Sequence, residues 1–236
     1  MAAALSLYRT TIGKKFVMAV SGLILVGFVV AHMVGNLKIY LGAEAINAYA
    51  GFLRDVGEPL FPRETLLWIA RIVLLGAVVL HITAATQLTI LDRASRPQRY
   101  AVKKVTTSYA ARTMRWGGVI ILLFVVYHIL HLTLGVVGYA PGVYQPEDPN
   151  SGYQTYANVV NGFASWPVSL FYILAMCALA LHLFHGTWSM FQTLGLNSGR
   201  WNNFWRGVAA AVAVAVFVGN ISIPIAVLTG ILRLPA

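Results

Sequence analysis

Five apolar runs, each long enough to cross a hydrocarbon layer, constrain this chain more than any other feature. A bilayer core about 30 Å thick needs roughly 20 apolar residues at 1.5 Å per residue. Runs near 16–37, 65–91, 115–137, 166–194 and 205–232 meet that length. Hydrocarbon offers no water to the backbone, so each run has to close its own hydrogen bonds as a helix. The predicted fold is therefore all-α, a single membrane domain over 1–236 built as a bundle of five transmembrane helices. Composition agrees: 58% of the 236 residues are hydrophobic and 10% charged, where a soluble chain carries about 25% charged residues. The first run follows Lys14 and Lys15 as a signal peptide would. It is too long for one and lacks a small-residue cleavage site, so it is expected to stay as an anchor.

The net charge of +10 does not point to nucleic acid, because the Lys and Arg residues cluster between the apolar runs. They report topology instead, since positive loops stay cytoplasmic. One side carries Arg9, Lys14, Lys15, the basic stretch from Arg93 to Arg115, Arg200 and Arg206. On the other side Lys38, Arg54, Arg63 and Arg71 are offset by Glu44, Asp55, Glu58 and Glu64, and 138–165 has no Lys or Arg at all. The N-terminus is predicted cytoplasmic and the C-terminus outside. Within the outer connections, 44–53 reads as a short amphipathic interfacial helix, and the Pro-, Gly- and Tyr-rich stretch after 138 as an ordered cap or loop.

All six histidines, His32, His81, His128, His131, His182 and His185, fall in the first four runs. Ionisable side chains at membrane depth are costly and mark pathways, pairs or cofactors. A single such histidine could simply bond a neighbouring carbonyl; four helices each carrying one make that reading poor. Depth sorts them. His32 lies about 24 Å and His128 about 20 Å from the inner starts of their outward-running helices, and His81 and His182 about 24 Å from the outer starts of inward-running ones. Two His/His pairs stacked across the membrane are the simplest assembly.

A haem suits such a pair, because its macrocycle supplies four nitrogens and the protein only two. Zinc or di-iron sites want three or four ligands including carboxylates or thiolates. No Asp or Glu lies in the middle of a run, which also weighs against a histidine-lined metal transporter. Cys177 is the single cysteine, so an iron–sulfur cluster held by this chain alone and CxxCH haem attachment are excluded. Small residues beside the histidines, among them Gly27, Ala31, Gly76, Ala77, Ala84, Ala85 and Gly186, are compatible with close approach of a flat macrocycle and equally with ordinary helix packing.

Taken together, GKKFVMAVSGLILVGFVVAHMVGNL (13–37), GAEAINAYAGFLR (42–54), YAARTMRWGG (109–118), FVVYHILHLT (124–133) and HLFHGTWSMFQTLG (182–195) resemble a known family. It is the single-subunit, five-helix, di-haem cytochrome b anchor of succinate dehydrogenase and fumarate reductase, the complex II of the tricarboxylic acid cycle and electron transport. The resemblance covers nearly the whole chain. It implies two b haems, an outer one on His32 and His128 and an inner one on His81 and His182. His131 and His185 are alternates, since each lies one turn on and about 60° round the helix. The resemblance further implies a flavoprotein and an iron–sulfur subunit docked on the cytoplasmic face, which bind the dicarboxylate, so that this chain carries no catalytic residue of its own. Electrons then pass through the two haems to a quinone, with a lean toward menaquinone, in a bacterial inner (plasma) membrane, where the complex can also associate further.

Several other positions are candidates by location. Tyr109, Arg112 and Arg115 stand at the inner boundary, where guanidinium groups pair with propionates. His185 could meet a propionate or a quinone carbonyl. For the quinone, Ser21 marks an inner position and Asn36, Tyr40, Arg54 and Asp55 an outer one. The basic stretch from Arg93 to Arg115 is the expected dock for the soluble subunits. Two alternatives stay open: a di-haem subunit of another quinone-linked dehydrogenase, and a haem-free structural or quinone-binding anchor.

Overall fold

A computed structural model of the chain describes residues 8–95, 109–146 and 152–234. The helices are α1 (Thr11–Asn36), extended by a 3-10 segment (Leu37–Leu41), then α2 (Ala43–Asp55), α3 (Thr65–Ala94) and α4 (Tyr109–His128), which runs into a π turn (Ile129–Thr133), followed by α5 (Thr155–Phe163), α6 (Trp166–Thr193) and α7 (Asn202–Leu228). Five of them, α1, α3, α4, α6 and α7, are long and apolar enough to cross a membrane. The chain is thus an all-helical, multi-pass membrane protein. The basic stretch expected to dock soluble subunits lies largely outside the described residues, at 96–108.

Helix boundaries follow local chemistry. The first helix starts earlier than hydropathy alone suggests because the Thr10 hydroxyl caps it, accepting from the Gly13 N–H at 3.0 Å, one of the donors a helix start leaves open. Lys14 lies in that first turn and curls back onto the carbonyls of Tyr8 and Arg9, which keeps its charge at the edge of the apolar zone. Pro167 sits in the first turn of α6, where its missing N–H costs nothing. At the far end of α7, Gly230 takes a φ of 75°, the left-handed turn that closes a helix.

Pairwise packing fixes the arrangement. The Tyr8 hydroxyl near the start of α1 donates to Gln87 near the end of α3, so these helices are antiparallel. Met33 abuts Gly219, placing the outer ends of α1 and α7 together. α1 and α6 pack on each other and on α7 and form a spine; α3 packs on α1, and α4 on α6. No comparable packing joins α3 to α4 among the described residues. Side chains aimed from all four helices therefore meet across a space bounded by α1, α3, α4 and α6.

The outer end is capped by the 3-10 segment, α2 and α5, over a core of Ile39, Ile46, Phe163 and Tyr172. The Asn47 side chain accepts from the Tyr156 N–H at 3.0 Å and Asn158 bonds both backbone groups of Gln145, so polar atoms lock α2, α5 and the 134–146 loop together. Helix α5 gives helical form to part of the stretch after 138 that the sequence marks only as an ordered cap or loop. Along the spans, by contrast, large apolar side chains such as Ile72, Leu75 and Leu123 are two-thirds exposed, the surface a bilayer covers.

Candidate functional site

The four-helix space holds two facing histidine pairs. His32 of α1 meets His128 of α4 with ring centroids 5.9 Å apart, and His81 of α3 meets His182 of α6 at 6.2 Å. Gly22 of α1 lies against His81, and Gly118 of α4 against His182. His32 and His128 each stand ten residues further along the same helices, about 15 Å at helical rise. The two pairs are stacked along the bundle, the His32 pair toward the capped end.

Each pair is shaped by its neighbours. A Cβ at Gly22 would lie 3.3 Å from His81 Cε1, and one at Gly118 would lie 3.7 Å from His182 Cε1. The small residues singled out in the sequence behave differently: Gly27, Gly76 and Gly186 have no heavy atom within 4 Å of a Cβ position, while Ala77 and Ala84 are buried. The signal that marks the right glycines is a spacing repeated in the two helices, Met18, Gly22, His32 and Met114, Gly118, His128. It extends to the methionine backbone. His81 Nδ1 lies 3.2 Å from the Met18 carbonyl, and the Met114 carbonyl borders His182, whose buried Nδ1 makes no well-formed hydrogen bond.

His131 departs from expectation. In an α-helix it would fall about 60° from His128, but the π turn begins at Ile129, with Leu134 N–H bonded five residues back to the Ile129 carbonyl at 3.0 Å. Each residue of that wider turn rotates less, so His131 swings away from the His32 pair. It is fully buried toward the cap, with Nδ1 2.9 Å from the Tyr172 hydroxyl and its ring beside Tyr139. His185 lies one turn beyond His182, with Nδ1 buried and unpartnered and its ring edge on Trp188.

The remaining candidates divide by location. Ser21 is buried between α1 and α3; its hydroxyl donates to the Val17 carbonyl at 2.7 Å and stands 3.5 Å from His81 Nδ1, so it borders the inner pair. Arg112 stacks over the Tyr109 ring and Arg115 pairs with Asp92 at 3.0 Å; all three candidates lie within about a turn of Met114. Arg54 bonds the Ala50 carbonyl at 2.7 Å and lies over the Tyr153 ring. Asp55 accepts from Arg63 at 2.8 Å, a bond that pushes the Arg63 guanidinium further up in pKa. Both residues therefore belong to the outer cap. Asn36 is half-buried and Tyr40 exposed at the end of the first span.

Two imidazoles on opposite sides of one metal, with bonds of roughly 2.0–2.1 Å and about 1.2 Å more to each ring centre, stand about 6.4 Å apart centre to centre. The separations of 5.9 and 6.2 Å lie close to that value, and within the range that direct ring-edge contact also gives. Among the described residues no three His, Cys, Asp or Glu side chains converge; the histidine rings of these four helices meet in twos. Comparison with protein families, curated proteins and solved structures finds no match for this chain. What fold and site define is a class, a five-span helical membrane protein with two stacked histidine pairs.

Proposed function

We propose that this protein is the di-haem cytochrome b anchor of a succinate:quinone oxidoreductase. The observation that carries the reading is the facing of His32 with His128 and of His81 with His182 at the spacing a shared metal needs. His32 and His128 would hold the outer haem, and His81 and His182 the inner one. Bound there, b haem supplies one-electron exchange without free charge in the lipid.

The chain's own contribution is placement. The Met18 carbonyl can only accept, so it holds the His81 proton on Nδ1 and leaves Nε2 free. Gly22 keeps the space beside the His81 ring open, and the apolar spans exclude water. Arg112 and Arg115, neighbours of Met114 in sequence, would be the groups to neutralise propionates, Arg115 by giving up its pair with Asp92, and His185 offers an unpartnered nitrogen one turn beyond His182. A flavoprotein and an iron–sulfur subunit would dock on the cytoplasmic face beside the inner pair, and a quinone, with menaquinone favoured, would take the electrons. The setting would be a bacterial inner membrane.

A reduced-minus-oxidised spectrum of the purified complex, with pyridine-haemochrome quantification, tests this. Two b haems per chain, reducible by succinate through co-purifying flavin and iron–sulfur subunits, are expected. An absence of b haem would overturn the reading.

A further inference from the structure

His131 has no exposed surface, its Nε2 meets no partner, and it belongs to neither facing pair. Its surroundings are built around it. A Cβ at Gly138 would fall 2.6 Å from its Cδ2, and one at Gly162 would fall 2.8 Å from its Nε2. A leucine would fill such a place without leaving a buried polar atom unsatisfied, so the imidazole calls for a role that an apolar side chain lacks.

Its one hydrogen-bonded neighbour supplies that role. The Tyr172 hydroxyl stands 2.9 Å from His131 Nδ1 and 3.4 Å from His128 Nδ1. A phenol has a single proton to donate. If Tyr172 donates to His128, then His128 Nδ1 is the bare nitrogen and its proton sits on Nε2, which cannot then bind a metal. If Tyr172 donates to His131, its oxygen lone pairs face His128, whose proton goes to Nδ1 and whose Nε2 is free. The direction of one hydroxyl thus decides whether His128 can be a ligand.

We propose that His131 is a positioning residue for the outer pair: with its own proton on Nε2 and Nδ1 bare, it is the nearer acceptor, turns the Tyr172 proton away from His128 and so fixes the His128 tautomer that leaves Nε2 open for ligation. At the inner pair the Met18 carbonyl does this for His81, because a carbonyl has no proton to misdirect and the neighbouring Ser21 hydroxyl spends its proton on the Val17 carbonyl. A hydroxyl needs a second acceptor to set its direction, and that acceptor is His131. The inference rests on the haem reading and deepens it.

Redox titration of the two haems in the intact complex, followed by their absorbance and low-spin electron paramagnetic resonance signals, tests the role. Tyr172→Phe removes the acceptor from His128 and lowers its basicity, so one midpoint potential should rise and the other stay. His131→Leu should move the same haem in the same direction, or release that haem alone. His131→Gln, whose amide oxygen still accepts, should restore the wild-type value. In the double variant Tyr172→Phe/His131→Leu the shift should be no larger than in Tyr172→Phe, because His131 acts only through Tyr172. The unmoved second haem reports that each variant is folded. Two unshifted potentials in His131→Leu, or additive shifts in the double variant, would overturn the assignment. A wild-type complex without b haem would instead defeat the haem reading before any variant is compared.

Discussion

The close approach of Gly22 to His81 gives the most direct handle on the inner pair. A Cβ at position 22 would meet His81 Cε1 at 3.3 Å and Nδ1 at 3.5 Å, where carbon contacts are comfortable at about 3.5–4.0 Å. Gly22→Ala therefore asks the ring to yield by a few tenths of an ångström. The strain opposes a helix-propensity gain of up to about 1 kcal/mol, and the two effects nearly cancel. Gly22→Leu is different. Its further carbons lean toward the preceding turn of the helix, the turn that carries the Met18 carbonyl holding His81. Overpacking of this kind costs about 1–3 kcal/mol. If ring displacement takes up that cost, the affinity of the inner pair for the haem proposed above falls roughly 5- to 150-fold at 1.4 kcal/mol per tenfold.

Haem retained after incubation with excess apomyoglobin, quantified per chain, reads the effect. On the di-haem proposal, wild type and Gly22→Ala should keep two haems, and Gly22→Leu should keep one. Gly207→Leu is the control, because position 207 lies on the histidine-free α7 with no heavy atom within 4 Å of its Cβ position, and it should keep two. Gly22→Leu that holds both haems as tightly as Gly207→Leu would show that the His81 ring is not confined as described, and the steric reasoning would fail.

Two further predictions concern the outer cap. Gly162→Ala would place a methyl 2.8 Å from both His131 Nε2 and the Tyr139 hydroxyl, so it should lower the thermal midpoint in detergent with an overpacking cost of about 1–3 kcal/mol; an unchanged midpoint would mean that the cap yields freely. Burial, with Tyr144 and Tyr127 adding to it, raises the Tyr139 pKa above that of the unfolded chain, and this favours the neutral phenol in the fold. Its contribution is whole below about pH 10, the unfolded value, and declines as pH rises from there toward the folded value, because the unfolded chain then binds fewer protons. Tyr139→Phe also loses the 2.8 Å bond to the Asn158 carbonyl, but its distinguishing sign is a shallower loss of stability above pH 10 in unfolding measured against pH.

The five spans were legible because hydrocarbon leaves a chain few options: a run of about 20 apolar residues is a helix whatever surrounds it. Most observed ends fall within about five residues of the hydropathy limits, where local caps such as Thr10 and Gly230 intervene; the third span departs further, its α-helix running Tyr109–His128 before the π turn Ile129–Thr133 instead of 115–137. The helical period and span length place histidines of the first and third spans at one depth and of the second and fourth at another, while the choice of His128 over His131 and of His182 over His185 comes from the family resemblance. In the structure His32 meets His128 and His81 meets His182. The short helix α5 was not legible, because its side chains face the cap rather than lipid and carry no long apolar run.

Whether His131 shares a face with His128 was beyond sequence periodicity. The choice turns on hydrogen-bond register at Ile129–Thr133, where a π turn replaces an α turn, and on the Tyr172 hydroxyl brought in from another helix. The same holds for the glycine beside the inner ring of His81: position 22 matters because α3 carries that ring to within 3.3 Å of a Cβ there. Composition and period thus determined that the chain is a histidine-bearing bundle of five membrane helices, since those follow from the solvent each residue meets. Which nitrogen faces which, and which hydroxyl directs it, only helix packing decided, because such contacts join residues dozens of positions apart and depend on differences of an ångström.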